Sequence, residues 1–206
     1  MSVEWRVMSL EGQDQKRVKT DKLAVSAQAG EPAPFDELYD RVAPAVNAWA
    51  ALRIPENLTS LISPEDLVQE VWFRAHQKID DFDPNRSFRG WIFGFANHVL
   101  HEFLRQRASS ASGHDSGGFD FAEVPDDATL VSVRAERNEG TTAFLMIFPE
   151  ADEEERTLIA LRGIEGLPFE EVARELAVSA AVVRKRWERL RKKLSDQEPP
   201  EGLLIG

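Results

Sequence analysis

The chain has 206 residues, 42% of them hydrophobic and 30% charged, with a formal net charge of −11 and no cysteine. That composition belongs to a folded globular protein, and the length suits one ordinary domain or two small ones. The missing cysteines exclude a disulfide framework, thiolate zinc sites and a cysteine nucleophile, and match a reducing compartment.

No apolar run approaches the roughly 18 residues that span a bilayer, and the N-terminus lacks the apolar stretch of a signal peptide. A cytoplasmic location without membrane insertion is expected. Residues 1–32 are polar, hold no sustained period and end in GEPAP, which reads as a flexible leader. From Phe35 to about Ala51, the residues Phe35, Leu38, Tyr39, Val42, Val46 and Trp49 recur at helical spacing, with Pro44 as a point of bend or break. RIPENLTSLIS reads as a loop. SPED then supplies a cap at Ser63, a proline at the first helical position and the acid of a capping box at Asp66.

The stripe Leu67, Val68, Val71, Trp72, Ala75, Ile79 and Phe82 carries that helix toward Pro84, which stops it. Ser87 is the expected cap of the next helix, where Phe88, Trp91, Ile92, Phe95, Ala96, Val99, Leu100, Phe103 and Leu104 hold helical spacing for about five turns. After Arg107 the composition turns Ser-, Gly- and Asp-rich, as in a tether. The spacing predicts two small helical domains, an all-α fold, over residues 33–107 and 131–195, with a flexible linker at 108–130 and a tail at 196–206.

The second domain has a weaker pattern through Ile147, an acidic patch EADEEE, and then Leu158, Ile159, Leu161 and Ile164. Pro168 opens a short helix carrying Val172, Ala173 and Leu176. Ala177 to Ser179 make a tight turn, and Ser179 caps a longer helix with Val183, Trp187, Leu190 and Leu194 on one line, which is a helix-turn-helix. Duplex DNA draws much of its protein affinity from neutralised phosphates, so an acidic chain needs a local basic surface to bind it. Residues 174–193 hold eight basic residues against two acids, a local charge of +6 that leaves −17 on the rest. A solvated face with cations near a helix C-terminus is the plainer alternative, but turn, cap and charge agree on DNA.

The helices EDLVQEVWFRAHQKIDDFDP and RSFRGWIFGFANHVLHEFLRQR, preceded by FDELYDRVAPAV and followed by ERTLIALRGIEGLPFEEVARELAVSAAVVRKRWERLRKKL, resemble the extracytoplasmic-function class of bacterial sigma factors. The resemblance covers residues 35–107 and 140–194, in the family's order. It implies an alternative sigma factor that binds core RNA polymerase and directs initiation at specific promoters, with an anti-sigma factor as a further expected partner and a monomeric free state. Polymerase docking maps onto Asp66, Gln69 and Glu70, whose plainer reading is helix solvation and dipole compensation.

Melting and capture of the minus-ten element map onto Phe88, Arg89, Trp91, Asn97 and His98. A flipped base needs an aromatic platform and its backbone needs cations. Phe88 and Trp91 also lie on the apolar stripe, where core packing competes, so Arg89, Asn97 and His98 carry more of the expectation. Minus-thirty-five recognition maps onto Ser179, Val182, Arg184, Lys185, Arg186, Arg189 and Lys192, with Arg184 and Lys185 suited to base edges and Arg186, Arg189 and Lys192 to phosphates. Trp187 and Glu188 depart from the family pattern, which leaves packing and groove contact there open.

No Gly-rich phosphate loop or metal-spaced histidine pair is present. His98 and His101 lack further ligands in register, so no catalytic residue, metal or cofactor is expected. Two rivals remain: a sigma-like module that titrates an anti-sigma factor, and a polymerase-independent repressor binding DNA as a dimer.

Overall fold

The computed structural model describes residues 17–111 and 151–195, and every regular element in them is helical. Helix α1 spans 17–28. It is followed by α2 (Pro32–Arg53), α3 (Pro64–Gln77) and α4 (Phe88–Ala111). In the second stretch α5 (Glu153–Leu158) runs directly into a π-helical turn, Ile159–Glu165, ahead of α6 (Phe169–Glu175) and α7 (Ala180–Ser195). The all-α expectation holds. Helix α4 passes the expected boundary at 107, while the rest of the linker, residues 131–150 and the tail at 196–206 lie outside the described residues.

Helices α2, α3 and α4 build the first core. Helix α3 starts as its sequence dictates: Ser63 Oγ accepts from the Asp66 N–H at 3.0 Å, and the Asp66 carboxylate accepts from the Ser63 N–H at 2.9 Å. That reciprocal pair satisfies donors at the helix N-terminus that have no intrahelical partner. Leu67, Val68, Val71, Trp72 and Ala75 are buried along one face, facing Phe88, Ile92, Ala96 and Val99 in the same core. Arg74 ties the two helices together, donating to Glu70 at 2.6 Å and to Glu102 at 2.7 Å.

From Val42 to Ala50 helix α2 is buried almost all round. Besides the expected stripe, Ala43, Ala45, Ala48 and Ala50 are buried, and the helix runs through Pro44 unbroken. A helix without a polar face is covered on more than one side. Here α3 and α4 pack against one side and the Ile159–Glu165 turn against another. The two sequence domains therefore meet along α2.

The flexible leader expected at 1–32 is corrected in its second half. Residues 17–28 are helical, with Ala24 and Ala27 buried in the first core. The Asp21 carboxylate accepts the Phe88 backbone N–H at 2.8 Å, and Gln28 donates to the carbonyls of Asp80 at 2.8 Å and Phe82 at 3.0 Å. Small residues at 24 and 27 permit close approach without showing a stripe of large apolar residues, so periodicity missed the element. Asp21 thus serves as a cap supplied from outside α4. Asp21→Ala is expected to lower stability by about 1 kcal/mol, with Asp21→Asn retaining most of it, as thermal unfolding followed by circular dichroism would measure.

Candidate nucleic-acid and polymerase interface

The helix-turn-helix forms where the sequence places it. Ala177 takes the left-handed conformation at φ 52°, turning the chain between α6 and α7. Ser179 Oγ then accepts the Val182 N–H at 3.4 Å at the start of α7. Val183, Trp187, Leu190 and Leu194 are all buried, so Trp187 fills the core of this unit rather than disturbing it.

The basic residues of α7 divide by direction. Arg186 pairs with Glu154, and Lys193 pairs with Glu155 at 2.7 Å, so these two cations face the acidic start of α5. Arg184 donates to Glu170 at 2.5 Å and lies 5.2 Å from the Phe169 ring centroid, whose ring Arg162 also approaches at 4.6 Å. Lys185 and Arg189 are exposed and enter no ion pair among the described residues. Val182 is 39% exposed on the same helix, and Lys192 is exposed as well. The acids of α5 and α6 therefore neutralise part of the helix and leave Lys185 and Arg189 exposed outside those pairs.

The minus-ten candidates fall on three faces of α4. Phe88 has no exposed surface and packs in the first core, edge-on to Phe82 with centroids 5.6 Å apart, which corrects its expected place on a DNA surface. Trp91 is half-buried in an aromatic row, 4.8 Å from Phe95, and His98 is exposed with Nε2 3.1 Å from Glu102. Arg89 and Asn97 point the other way, toward the π-helical turn. Arg89 donates to the Ile164 carbonyl at 2.6 Å, and Asn97 donates to Glu165 at 2.9 Å. Between them on that face, Phe93 is fully buried and meets Trp49 edge-on at 6.0 Å.

Among the polymerase-docking candidates only Gln69 is exposed. Asp66 is committed to the capping box, and Glu70 is 7% exposed and bound to Arg74, so its expected role as a docking side chain is corrected to an internal ion pair. Both corrections have one cause: a carboxylate on an amphipathic helix also satisfies buried partners, and sequence spacing alone does not separate the two uses.

The chain matches the family description Sigma-70 region 2 over residues 38–110 and Sigma-70, region 4 over residues 152–194. It belongs to the sigma-70 family, extracytoplasmic-function class. Among its relatives, the RNA polymerase sigma factor CnrH of Cupriavidus metallidurans is 29% identical, covering 84% of this chain and 91% of its own. The ECF RNA polymerase sigma factor SigX of Bacillus subtilis is 28% identical over 65% of this chain and 75% of that protein. A solved structure of CnrH with the cytosolic domain of CnrY aligns at 27% identity and a TM-score of 0.41, covering 86% of this chain and 95% of that one.

In this sigma chain the two regions share one half-buried carboxylate. Glu165 accepts from Asn97 on α4 at 2.9 Å and from the Trp49 indole N–H on α2 at 3.1 Å. Burial pushes its pKa up to about 7 against the pull of these two bonds and of Arg53, with Glu175 adding to the rise. Burial likewise lowers Arg89 to about 10, which leaves it cationic at neutral pH. A carboxyl whose pKa rises on burial favours the packed state when protonated. Below its usual value of 4.5 the packing carries no ionisation penalty, and the penalty grows until pH passes about 7. The gap in melting temperature between Glu165→Gln and the parent is therefore expected to widen in favour of the variant from pH 5 to pH 8, as paired calorimetric scans would measure.

Proposed function

We propose that this chain acts as an alternative sigma subunit: it binds core RNA polymerase as a monomer and directs initiation at a specific class of promoters. The observation that carries the reading is the presence of regions 2 and 4 in one chain, in order, with a basic recognition helix on an otherwise acidic protein. A repressor would have no use for region 2, and a titrating mimic no use for the exposed cations of α7.

The division of labour follows the domains: residues 33–107 dock on polymerase and handle the minus-ten element, and 131–195 read the minus-thirty-five element. Lys185, exposed and outside the ion pairs of the described residues, suits a base edge, with Arg184 beside it. Arg189 and Lys192 suit phosphates, and Val182 and Ser179 lie at the groove-entering end of α7. Gln69 is the polymerase-facing side chain of α3, and Trp91 and His98 form the open aromatic and polar edge of α4. The protein does no covalent chemistry of its own and works in the cytoplasm. Among the described residues no helix is long and apolar enough to cross a membrane.

The acidity has a physical use. Affinity for non-specific duplex rises with the number of neutralised phosphates, so a subunit with only a small basic patch is not lost on bulk DNA. An anti-sigma partner fits the same picture, since relatives are described in complexes of that kind, among them the RpoE–NepR co-crystal structure from Bartonella quintana.

Transcription from a promoter library by core polymerase plus the purified chain tests the reading. Specific start sites are expected with the parent. Lys185→Ala is expected to relax promoter choice and lower output at preferred sites by roughly tenfold, whereas Arg189→Ala weakens all sites evenly and reduces the salt slope by about 1. Gln69→Arg is expected to weaken polymerase binding with no loss of thermal stability, unlike Asp66→Ala, which removes a helix cap. Absence of any polymerase engagement, with dimeric binding to a palindromic site instead, overturns the sigma reading.

A further inference from the structure

We propose that Glu188 is a specificity-determining residue of α7, a carboxylate that accepts a hydrogen bond from the exocyclic amine of a cytosine in the minus-thirty-five element, in the base pair next to the one that Lys185 reads. The proposal rests on the sigma reading above and adds to it the identity of one base.

The direction of Glu188 follows from the spacing of α7. Val183, Trp187, Leu190 and Leu194 are buried and define the inner line of the helix. Ala181, Lys185, Glu188 and Lys192 recur at four, three and four on the opposite side, and all four are exposed. An exposed face of the second helix is what a helix-turn-helix presents to the major groove, so Glu188 stands between two lysines on the surface that meets DNA.

Its lack of a partner sets it apart. Glu154, Glu155 and Glu170 each hold a cation of α7. Glu188 lies three or four positions from Arg184, Lys185, Arg191 and Lys192, the separations at which charges on one helix meet. Even so it enters no ion pair and no side-chain hydrogen bond among the described residues. The plainer use of such an acid, support of the helix through an i,i+4 pair, is not taken up.

A carboxylate brought against duplex DNA gives up water and faces phosphates of its own sign, so it weakens binding unless a donor meets it. The major groove holds two kinds of base donor, the N4 amine of cytosine and the N6 amine of adenine. Guanine and thymine present acceptors there, which repel a carboxylate, and in adenine the N7 acceptor lies beside the amine. Cytosine offers a donor with no acceptor of its own next to it. A lysine suits the O6 and N7 of guanine, and Lys185 precedes Glu188 by about 4.5 Å of helix rise, against about 3.4 Å between base pairs. The two side chains therefore address neighbouring pairs, one by donating and the other by accepting. Glu188 acts by exclusion as much as by attraction, because a wrong base leaves it dehydrated and unpaired.

Transcription by core polymerase and the full-length chain, from a promoter library randomised across the upstream element, reads the preference at each base pair. The parent is expected to select cytosine at one position. Glu188→Ala is expected to lower that selection about tenfold and to raise output from the other three bases there. Glu188→Gln, whose amide both donates and accepts, is expected to move the preference to adenine. Lys185→Ala is expected to lose selection at the adjacent pair and keep the cytosine. A purely structural role for Glu188 would move all positions together or none.

An unchanged preference profile in Glu188→Ala overturns the proposal, as does loss of selection for a base other than cytosine. If the parent initiates at specific sites while Glu188→Ala keeps its profile, only the base readout is refuted, whereas a parent that never supports initiation refutes the sigma reading and this proposal with it.

Discussion

Trp49 has no exposed surface, and its indole N–H must find an acceptor inside the protein. Nothing in region 2 supplies it. The acceptor is Glu165, more than a hundred residues later in the chain, and the same carboxylate collects the Asn97 amide. On separation of the regions water takes over these donors, so each bond resists it by about 0.5–1.5 kcal/mol net, roughly as strongly as a modest apolar contact does. The apolar character of α2 between Val42 and Ala50 follows from the same constraint: a stretch covered by α3 and α4 on one side and by the region 4 turn on another keeps no room for charged side chains, which fall at Asp36, Glu37, Asp40, Arg41 and Arg53 instead.

Electrostatics in region 4 work by subtraction. The eight basic residues around α7 do not form one open cationic face, because Glu154, Glu155 and Glu170 each take one of them. Those pairs are partly exposed and each contributes little stability. Their effect is to aim the remaining charge: the cations facing α5 and α6 are paired, while Lys185, Arg189, Arg191 and Lys192 are exposed. Selective exposure of this sort reconciles a DNA-binding helix with an overall charge of −11.

Much of this was legible in the sequence, and the remainder was hidden for definable reasons. The capping box at Ser63, the apolar lines of α4 and α7 and the turn before Ser179 rest on local spacing and appear as read, while the line of α3 holds only to Ala75, because the helix ends at Gln77 and Ile79–Asp81 forms a 3-10 turn ahead of Pro84. What escaped depends on contacts between distant segments. Phe93 sits off the main stripe of α4, beside Arg89 and Asn97, and an apolar residue there signals a second packed face. The run of alanines around Trp49 carries the same signal. Alanines 24 and 27 gave too little hydrophobic contrast to mark α1 as docked. Asp66 and Glu70 carry acids suited equally to docking or to internal bonds, and only their partners distinguish the uses.

Helix α1 also bears on how the chain is made. Its cap bond to Phe88 closes a separation of 67 residues, and the Gln28 bonds close separations of 52 and 54. During synthesis α1 leaves the ribosome well before any of these partners exists. It is too short to persist as an isolated helix in water, so it stays unformed until α4 has emerged, and it docks on region 2 only after the helices that follow it in the chain are in place. Until then the segment stays open to any protease or chaperone that acts on the nascent chain.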